Sequence, residues 1–125
     1  MVYSGILCTE ADIAHAVGEN PNVTGDDEAS HNLLVAQAES YLGLIGNYDF
    51  VANVATLTAM GKQTLAEYCA RFAAVGILAY DATAIVTATS LIEYEDRIQI
   101  HLYRMQLIEK LISDQNYVKI IAGVV

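Results

Sequence analysis

The sequence predicts an all-α fold, a small bundle of about four helices with extended apolar tails at both ends. Apolar residues recur every three or four positions over long segments, which is the spacing of a buried helix face. Capping residues precede these segments, and the 125 residues, 54% hydrophobic with one Pro, suffice for one core. We therefore expect a single domain over residues 1–125, with an N-terminal arm at 1–8, the bundle at 9–114 and a C-terminal tail at 115–125.

The first two helices are indicated by their caps. Thr9, with Asp12 three residues later, forms a capping-box pattern, and Gly18 is expected to end this short helix. Thr24 is expected to cap the second helix, which should run to about Ile45. Three acidic residues fall in its first turn, where the helix dipole favours negative charge: Asp26, Asp27 and Glu28. Its predicted buried face is Leu34, Ala38, Tyr41, Leu42 and Ile45.

The third helix is predicted to be the centre of the bundle. Tyr48–Leu57 reads as a loop with room for one helical turn, and the helix should begin near Thr58. Its apolar stripe is Leu65, Cys69, Phe72, Val75 and Ala79. Four small residues would let a neighbouring helix approach closely: Ala70, Ala73, Ala74 and Gly76.

The fourth helix carries two apolar rows. The β-branched segment Thr83–Thr89 predicts a break, after which Ser90 and Glu93 form a capping box and the helix should continue to about Asp114. The first row is Leu91, Tyr94, Ile98, His101 or Leu102, Met105, Ile108 and Ile112. The second is Ile100, Tyr103, Leu107 and Leu111, about half a turn away. Because a small chain makes little core of its own, we expect the second row to face another subunit.

Both ends of the chain are apolar, unlike most chain ends. Such ends should be covered, either by their own domain or by a neighbouring subunit. We expect the tail from Tyr117 to Val125 to be loosely held in the free subunit and to become ordered on assembly. Its residues Tyr117, Ile120 and Ile121 join the predicted subunit interface.

The charge is unevenly distributed along the sequence. The net charge is −9, and residues 1–61 contain eight acidic residues and no Lys or Arg. Nucleic-acid affinity depends on basic groups that neutralise phosphates, so specific binding of DNA or RNA is not expected. A membrane partner is not expected either, because the most apolar segment is interrupted by Asp81. With no secretory signal, the chain should remain in the cytoplasm in which it is made.

Two groups of residues are candidates for a metal-binding or catalytic site. Glu28 with His31, and Asp12 with His15, have carboxylate and His three positions apart, and with Glu39 and Glu67 they have the composition of a di-iron bundle site. Their positions in the first turn of a helix and on a short helix favour capping over metal binding. Cys69 and His101 offer a nucleophile and a base, but no third group orients them. The expectation is a protein that is not an enzyme and has no cofactor.

Several short segments resemble the small head–tail connector proteins of tailed bacteriophages, also called adaptor or head-completion proteins. The segments are Cys8-Thr9-Glu10-Ala11-Asp12-Ile13, Val17-Gly18-Glu19-Asn20, Ala38-Glu39-Ser40-Tyr41, and Glu93-Tyr94-Glu95-Asp96 leading into Ile100-His101-Leu102-Tyr103-Arg104. The segments are short, and the resemblance covers most of the chain in the order of its elements.

The resemblance implies an α-helical virion protein of the neck. Such subunits form a ring, commonly twelve-fold, beneath the portal protein, extend the DNA channel and bind the next neck or tail protein. Often a terminal tail reaches into the portal or an adjacent subunit. In such a ring, Asp26, Asp27 and Glu28 would face the channel and repel the duplex. The alternative is a small cytoplasmic metal-binding or regulatory helical bundle.

Overall fold

Helix α3 (Ala59–Ala82) lies at the centre of the fold, and the other helices pack around it. The computed structural model describes residues 2–18, 28–82 and 88–123, with side chains except over 80–82 and 88–94. The fold is all-helical, and these ranges contain five α-helices and no strand. The other elements are α1 (Glu10–Val17), α2 (Glu28–Gly46), a 3-10 turn at Val54–Thr56, α4 (Ala88–Ile112) and α5 (Gln115–Ala122). No described helix is long and apolar enough to cross a membrane.

The small residues of α3 allow the close packing that was predicted for them. Ala73 and Ala74 are fully buried, and a Cβ at Gly76 would lie 2.6 Å from Cδ2 of Leu34 on α2. Leu65 and Cys69 of the predicted stripe are also buried. Close approach of the backbones lets the short helices bury their apolar faces on α3.

The caps of α1 form as the sequence predicts. The Thr9 hydroxyl accepts a hydrogen bond from the Asp12 backbone N–H at 3.2 Å, and the Asp12 carboxylate accepts one from the Thr9 backbone N–H at 2.9 Å. Gly18 ends the helix. Each bond satisfies a backbone donor that the helix itself leaves without a partner.

Helix α2 is rotated relative to its predicted face. The residues it buries are His31, Val35, Ala38, Leu42 and Gly46. The predicted Leu34 and Ile45 are only partly buried, and Tyr41 is 53% exposed. Tyr41 lies at the rim, where its ring is 5.6 Å from that of Phe72. The predicted start of α2 at Thr24–Asp27 lies outside the described residues.

Helix α4 begins earlier than predicted. Ala88 and Thr89 are already helical, so Ser90 is inside the helix and is not its N-cap, and the helix ends at Ile112. Residues 83–87 of the predicted break lie outside the described residues. The first row of α4 is confirmed at His101, Met105, Ile108 and Ile112, which are all buried. This face of α4 packs against α3.

The prediction of an extended C-terminal tail is wrong, because residues 115–122 form a fifth helix. Asp114 caps α5 by accepting a hydrogen bond from the Asn116 backbone N–H, and Gly123 ends it in the left-handed conformation at φ 77°. The helix buries Val118, Ile121 and Ala122. Its apolar residues therefore complete the core of this chain.

The described part of the N-terminal arm, residues 2–8, is fixed along α2. One carboxylate oxygen of Glu39 accepts hydrogen bonds from the backbone N–H groups of Ile6 and Leu7, both at 2.8 Å. Asn32 accepts from the Ser4 N–H at 2.8 Å and donates to the Val2 carbonyl at 3.1 Å. These contacts give hydrogen-bond partners to the backbone N–H groups of residues 4, 6 and 7 and to the carbonyl of residue 2. The apolar N-terminal segment is therefore held by its own domain.

Candidate subunit interface

The second row of α4 is an exposed apolar face. Ile100 is 61% exposed, Tyr103 62%, Leu107 39% and Leu111 42%. They lie about a third of a turn around the helix from the row that α4 buries against α3, so the apolar surface of the helix extends beyond its buried face. A helix with this pattern has one face satisfied inside the fold and a second that water must solvate unless another molecule covers it.

A shallow groove of about 370 Å³ runs between α3 and this row. Leu107 and Leu111 line one side, and Thr64 of α3 lies opposite. Toward its end, Arg104 Nη2 donates to both oxygens of Glu67, at 2.7 and 3.1 Å. The surface therefore combines apolar side chains with a bidentate ion pair, a composition typical of protein interfaces.

Helix α5 divides the interface residues predicted in it. Tyr117 is 47% exposed and Ile120 is 48% exposed, so both are accessible to another molecule. Ile121 is only 7% exposed and packs on Gly61 of α3, so its assignment to a subunit interface is corrected. The reason is the helical spacing, which turns residue 121 inward while residues 117 and 120 remain outside.

The acidic residues predicted at the start of the second helix are only partly described. Asp26 and Asp27 lie outside the described residues. Glu28 is exposed in the first turn of α2, where the helix dipole favours a carboxylate.

Four of the six candidate metal ligands, His31, Asp12, Glu39 and Glu67, have other partners. Glu10 Oε2 lies 2.7 Å from His31 Nδ1 and joins α1 to α2, Asp12 serves the α1 cap, and Glu39 holds the N-terminal arm. Glu67 pairs with Arg104. Over the described ranges, no three His, Cys, Asp or Glu side chains lie close enough together to hold a metal ion.

A polar groove of about 460 Å³ opens between α1, α3 and α4. Its polar lining residues are Asp12, His15, Gln63, Glu67, Arg71 and His101. Arg71 Nη1 donates to His101 Nδ1 at 2.9 Å, and the ring forms a second hydrogen bond with the backbone of Ala16. Burial and the nearby Arg71 charge lower the pKa of His101 below its ordinary value of 6.5, partly opposed by the Ala16 bond. His101 is therefore neutral at pH 7 and joins α1, α3 and α4.

The two thiols are buried and unreactive in character. Burial raises the pKa of Cys8 to about 11, although a hydrogen bond with Tyr3 lowers it in part. Burial also raises the pKa of Cys69 well above its ordinary value. The hydrogen bonds of the His101 ring go to Arg71 and to the backbone of Ala16, and not to Cys69, the thiol considered with it as a nucleophile.

Two features have functional interest and were not identified from the sequence. The first is the Glu39 contact with the arm, which depends on tertiary structure. The second is an exposed apolar set on α2, in which Leu33 is 59%, Tyr41 53% and Leu44 81% exposed. The spacing of this set, eight and then three residues, fits one helix face and was available as a signal, although the sequence pattern places Tyr41 in the core.

Comparison of the chain with protein-family models, with curated proteins and with solved structures finds no match. Its function is therefore inferred from its own residues and their geometry.

Proposed function

We propose that this protein is a non-catalytic structural subunit that assembles with copies of itself, as a head–tail connector of a tailed bacteriophage. The observation that carries the proposal is the second row of α4, hereafter the outer row: Ile100, Tyr103, Leu107 and Leu111, four apolar side chains between 39% and 62% exposed on a helix that already buries another face. In the connector, this row lies against the neighbouring subunit.

The size of the row sets the strength of one contact. Full burial of one apolar side chain of this size stabilises a contact by about 1.5–3 kcal/mol. The four side chains of the row, which are already partly buried, contribute on the order of 4 kcal/mol to one subunit contact. Association costs about 4–15 kcal/mol in lost freedom of motion. A single contact is therefore weak, and a closed ring, in which each subunit makes two contacts, is favoured over a dimer.

The resemblance to connector proteins supplies the remainder of the proposal. The ring, twelve-fold as in that family, lies in the virion neck beneath the portal protein and binds the next neck or tail protein. Tyr117 and Ile120 on α5 add exposed apolar area for these contacts. The acidic N-terminal half, with Asp26, Asp27 and Glu28, lines the channel and does not bind DNA specifically.

The alternative, a small metal-binding or regulatory helical bundle, has no specific observation in its favour. It predicts a monomer or dimer with bound iron, so measuring the metal content of the purified protein, together with its mass, separates the two proposals.

The interface is tested by changing Leu107 to Glu. A charge buried in a subunit contact costs about 2–5 kcal/mol, so the variant should remain folded but fail to assemble. Gln106→Glu is the matched control, because it adds the same charge to an exposed neighbouring position outside the row. Light scattering gives the mass, and circular dichroism gives the helix content. Assembly of the Leu107 variant like the wild type, or loss of its fold, would contradict the assignment.

A further inference from the structure

A ring requires two different surfaces on each subunit, because a contact that repeats around a ring is heterologous. The outer row of α4 supplies one of them. Helix α2 carries the second exposed apolar set, Leu33, Tyr41 and Leu44. They lie on the side of α2 away from Val35, Ala38 and Leu42, which it buries in the core.

The two faces match in length and in spacing. With the exposed Gln37 included, the α2 face is formed by residues 33, 37, 41 and 44, at intervals of four, four and three. The α4 row is formed by residues 100, 103, 107 and 111, at intervals of three, four and four. Each face covers eleven residue steps, or about 16 Å of helix. The α4 spacing is the α2 spacing read in the reverse direction, so the rows coincide when the two helices run antiparallel.

The charges also favour contact between unlike faces. Residues 28–61 include Glu28, Glu39 and Asp49 but no Lys or Arg, so two α2 faces that meet would bring like charges together. A groove of about 740 Å³ lies beside Leu44, and its charged lining residues, Glu39 and Asp49, are both acidic. Between residues 95 and 112, α4 carries as many basic residues, Arg97, Arg104 and Lys110, as acidic ones, Glu95, Asp96 and Glu109, so it has no net charge. Contact between α2 and α4 therefore avoids the repulsion.

From this match we infer that the outer row of α4 on one copy packs antiparallel on the exposed face of α2 on the next copy. The inference rests on the proposed self-assembly and names the surface that receives the row. A symmetric contact between two α4 rows is the competing arrangement.

Mixing two variants tests the pairing. Ile100→Glu blocks the α4 row, and Leu44→Glu blocks the α2 face; both positions are more than half exposed, so the fold should survive. Each variant alone should be monomeric at a concentration where the wild type assembles. Because a single contact is weak, the mixture is measured at concentrations well above that at which the wild type assembles. There it should form a dimer of twice the 13.5 kDa subunit mass while each variant alone stays monomeric, because one variant retains the α4 row and the other retains the α2 face.

The outcomes separate the inference from the proposal on which it rests. A wild-type chain that stays monomeric at every concentration, with and without a portal protein, overturns both. If the wild type assembles and the Ile100 variant does not, self-assembly through the α4 row stands. The α2 surface is then wrong if the Leu44 variant assembles normally, or if the mixture of the two variants stays monomeric.

Engineered cysteines test the orientation independently of the charged variants. A disulfide requires Cα atoms within about 7 Å, so Leu44→Cys should cross-link to Ile100→Cys and not to Leu111→Cys, about 16 Å away along α4. The native Cys8 and Cys69 are buried and should contribute little background. Cross-linking to position 111 and not to position 100 would overturn the antiparallel arrangement.

Discussion

Gly61 of α3 lies directly against Ile121 of α5. A Cβ at residue 61 would be 2.6 Å from Cγ2 of Ile121 and 3.0 Å from its Cα, which is closer than packed atoms tolerate. The Thr58 backbone N–H also donates to the Ile121 carbonyl at 2.9 Å. These contacts make the C-terminal helix part of the folded core.

Replacing Gly61 with Ala should destabilise the protein by about 1–3 kcal/mol, because the added methyl group overpacks the contact with α5. Gly43→Ala is the matched control, since its Cβ would meet its nearest neighbour, the Tyr48 carbonyl oxygen, at an ordinary 3.5 Å. Inside α2, that change should be neutral or stabilising by about 0.5–1 kcal/mol. Urea denaturation gives both values, and equal stability of the two variants would contradict this packing.

Truncating Ile121 to Ala should lower the free energy of unfolding by about 2–5 kcal/mol, as for other buried Ile residues. Ile120→Ala, at a neighbouring position that is 48% exposed, should cost much less. Thermal or chemical denaturation compares the two variants. Similar small losses at both positions would mean that α5 is loosely held, as the sequence alone suggested.

Removing the Glu39 carboxylate by Glu39→Ala should release the N-terminal arm. The Ile6 and Leu7 N–H groups would lose their acceptor, at a cost of about 1–3 kcal/mol per unsatisfied group that stays buried. Amide hydrogen exchange should show faster exchange at residues 6 and 7, and Glu28→Ala, an exposed acid on the same helix, should leave both rates unchanged. Unaltered protection at residues 6 and 7 in Glu39→Ala would count against this role.

The lowered pKa of His101 predicts a loss of stability in acid. Below pH 6.5 the unfolded chain binds a proton at His101 that the folded chain does not bind. The free energy of unfolding therefore falls as the pH decreases. The fall ends once the pH is below the lowered pKa of His101 in the folded chain. Arg71 and Arg97 oppose the charged ring, whereas the Ala16 bond favours it. The carboxylates Asp12 and Glu67 and the imidazole of His15 line the same groove.

The measurement is the free energy of unfolding between pH 5 and 8 for the wild type and for His101→Asn. The wild type should lose more stability than the variant as the pH falls through 6.5. Parallel pH profiles would contradict a neutral, buried His101.

The channel proposal predicts that replacing Asp26 and Glu28 with Lys alters DNA retention in assembled particles. Basic groups would displace counterions from the phosphates and hold the duplex. If the acids only cap α2, they contribute about 0.3–1 kcal/mol each to stability. Unchanged retention and ejection of DNA in well-formed rings would leave capping as the sufficient explanation.

Local signals predicted well what depends on local structure. The Thr9 and Asp12 cap involves residues three apart, and the rows of α4 follow from periodicity over a long helix. Leu33, Leu34 and Val35 are consecutive apolar residues, so periodicity could not decide which one α2 buries. Tertiary packing decides it, because Val35 lies under the N-terminal arm, where a Cβ at Gly5 would be 2.9 Å from its Cγ1.

Helix α5 was missed because eight residues are too few for a stable isolated helix. Its β-branched residues favour an extended chain, and packing on α3 and α4 stabilises the helical form. The Asp114 cap and the Gly123 stop were available as signals. The polar groove brings Asp12, Arg71 and His101 together from three helices, a proximity that sequence spacing does not contain.

The central claim, that copies of this protein assemble through exposed helix faces, is tested most directly by the mass of the purified wild-type chain as its concentration rises. Analytical ultracentrifugation measures this mass, for the protein alone and in mixtures with a phage portal protein. Electron microscopy of the same samples shows whether rings form. The account predicts a shift from the 13.5 kDa subunit to a closed ring, promoted by the portal. A chain that remains monomeric at every concentration, with and without the portal, would contradict it.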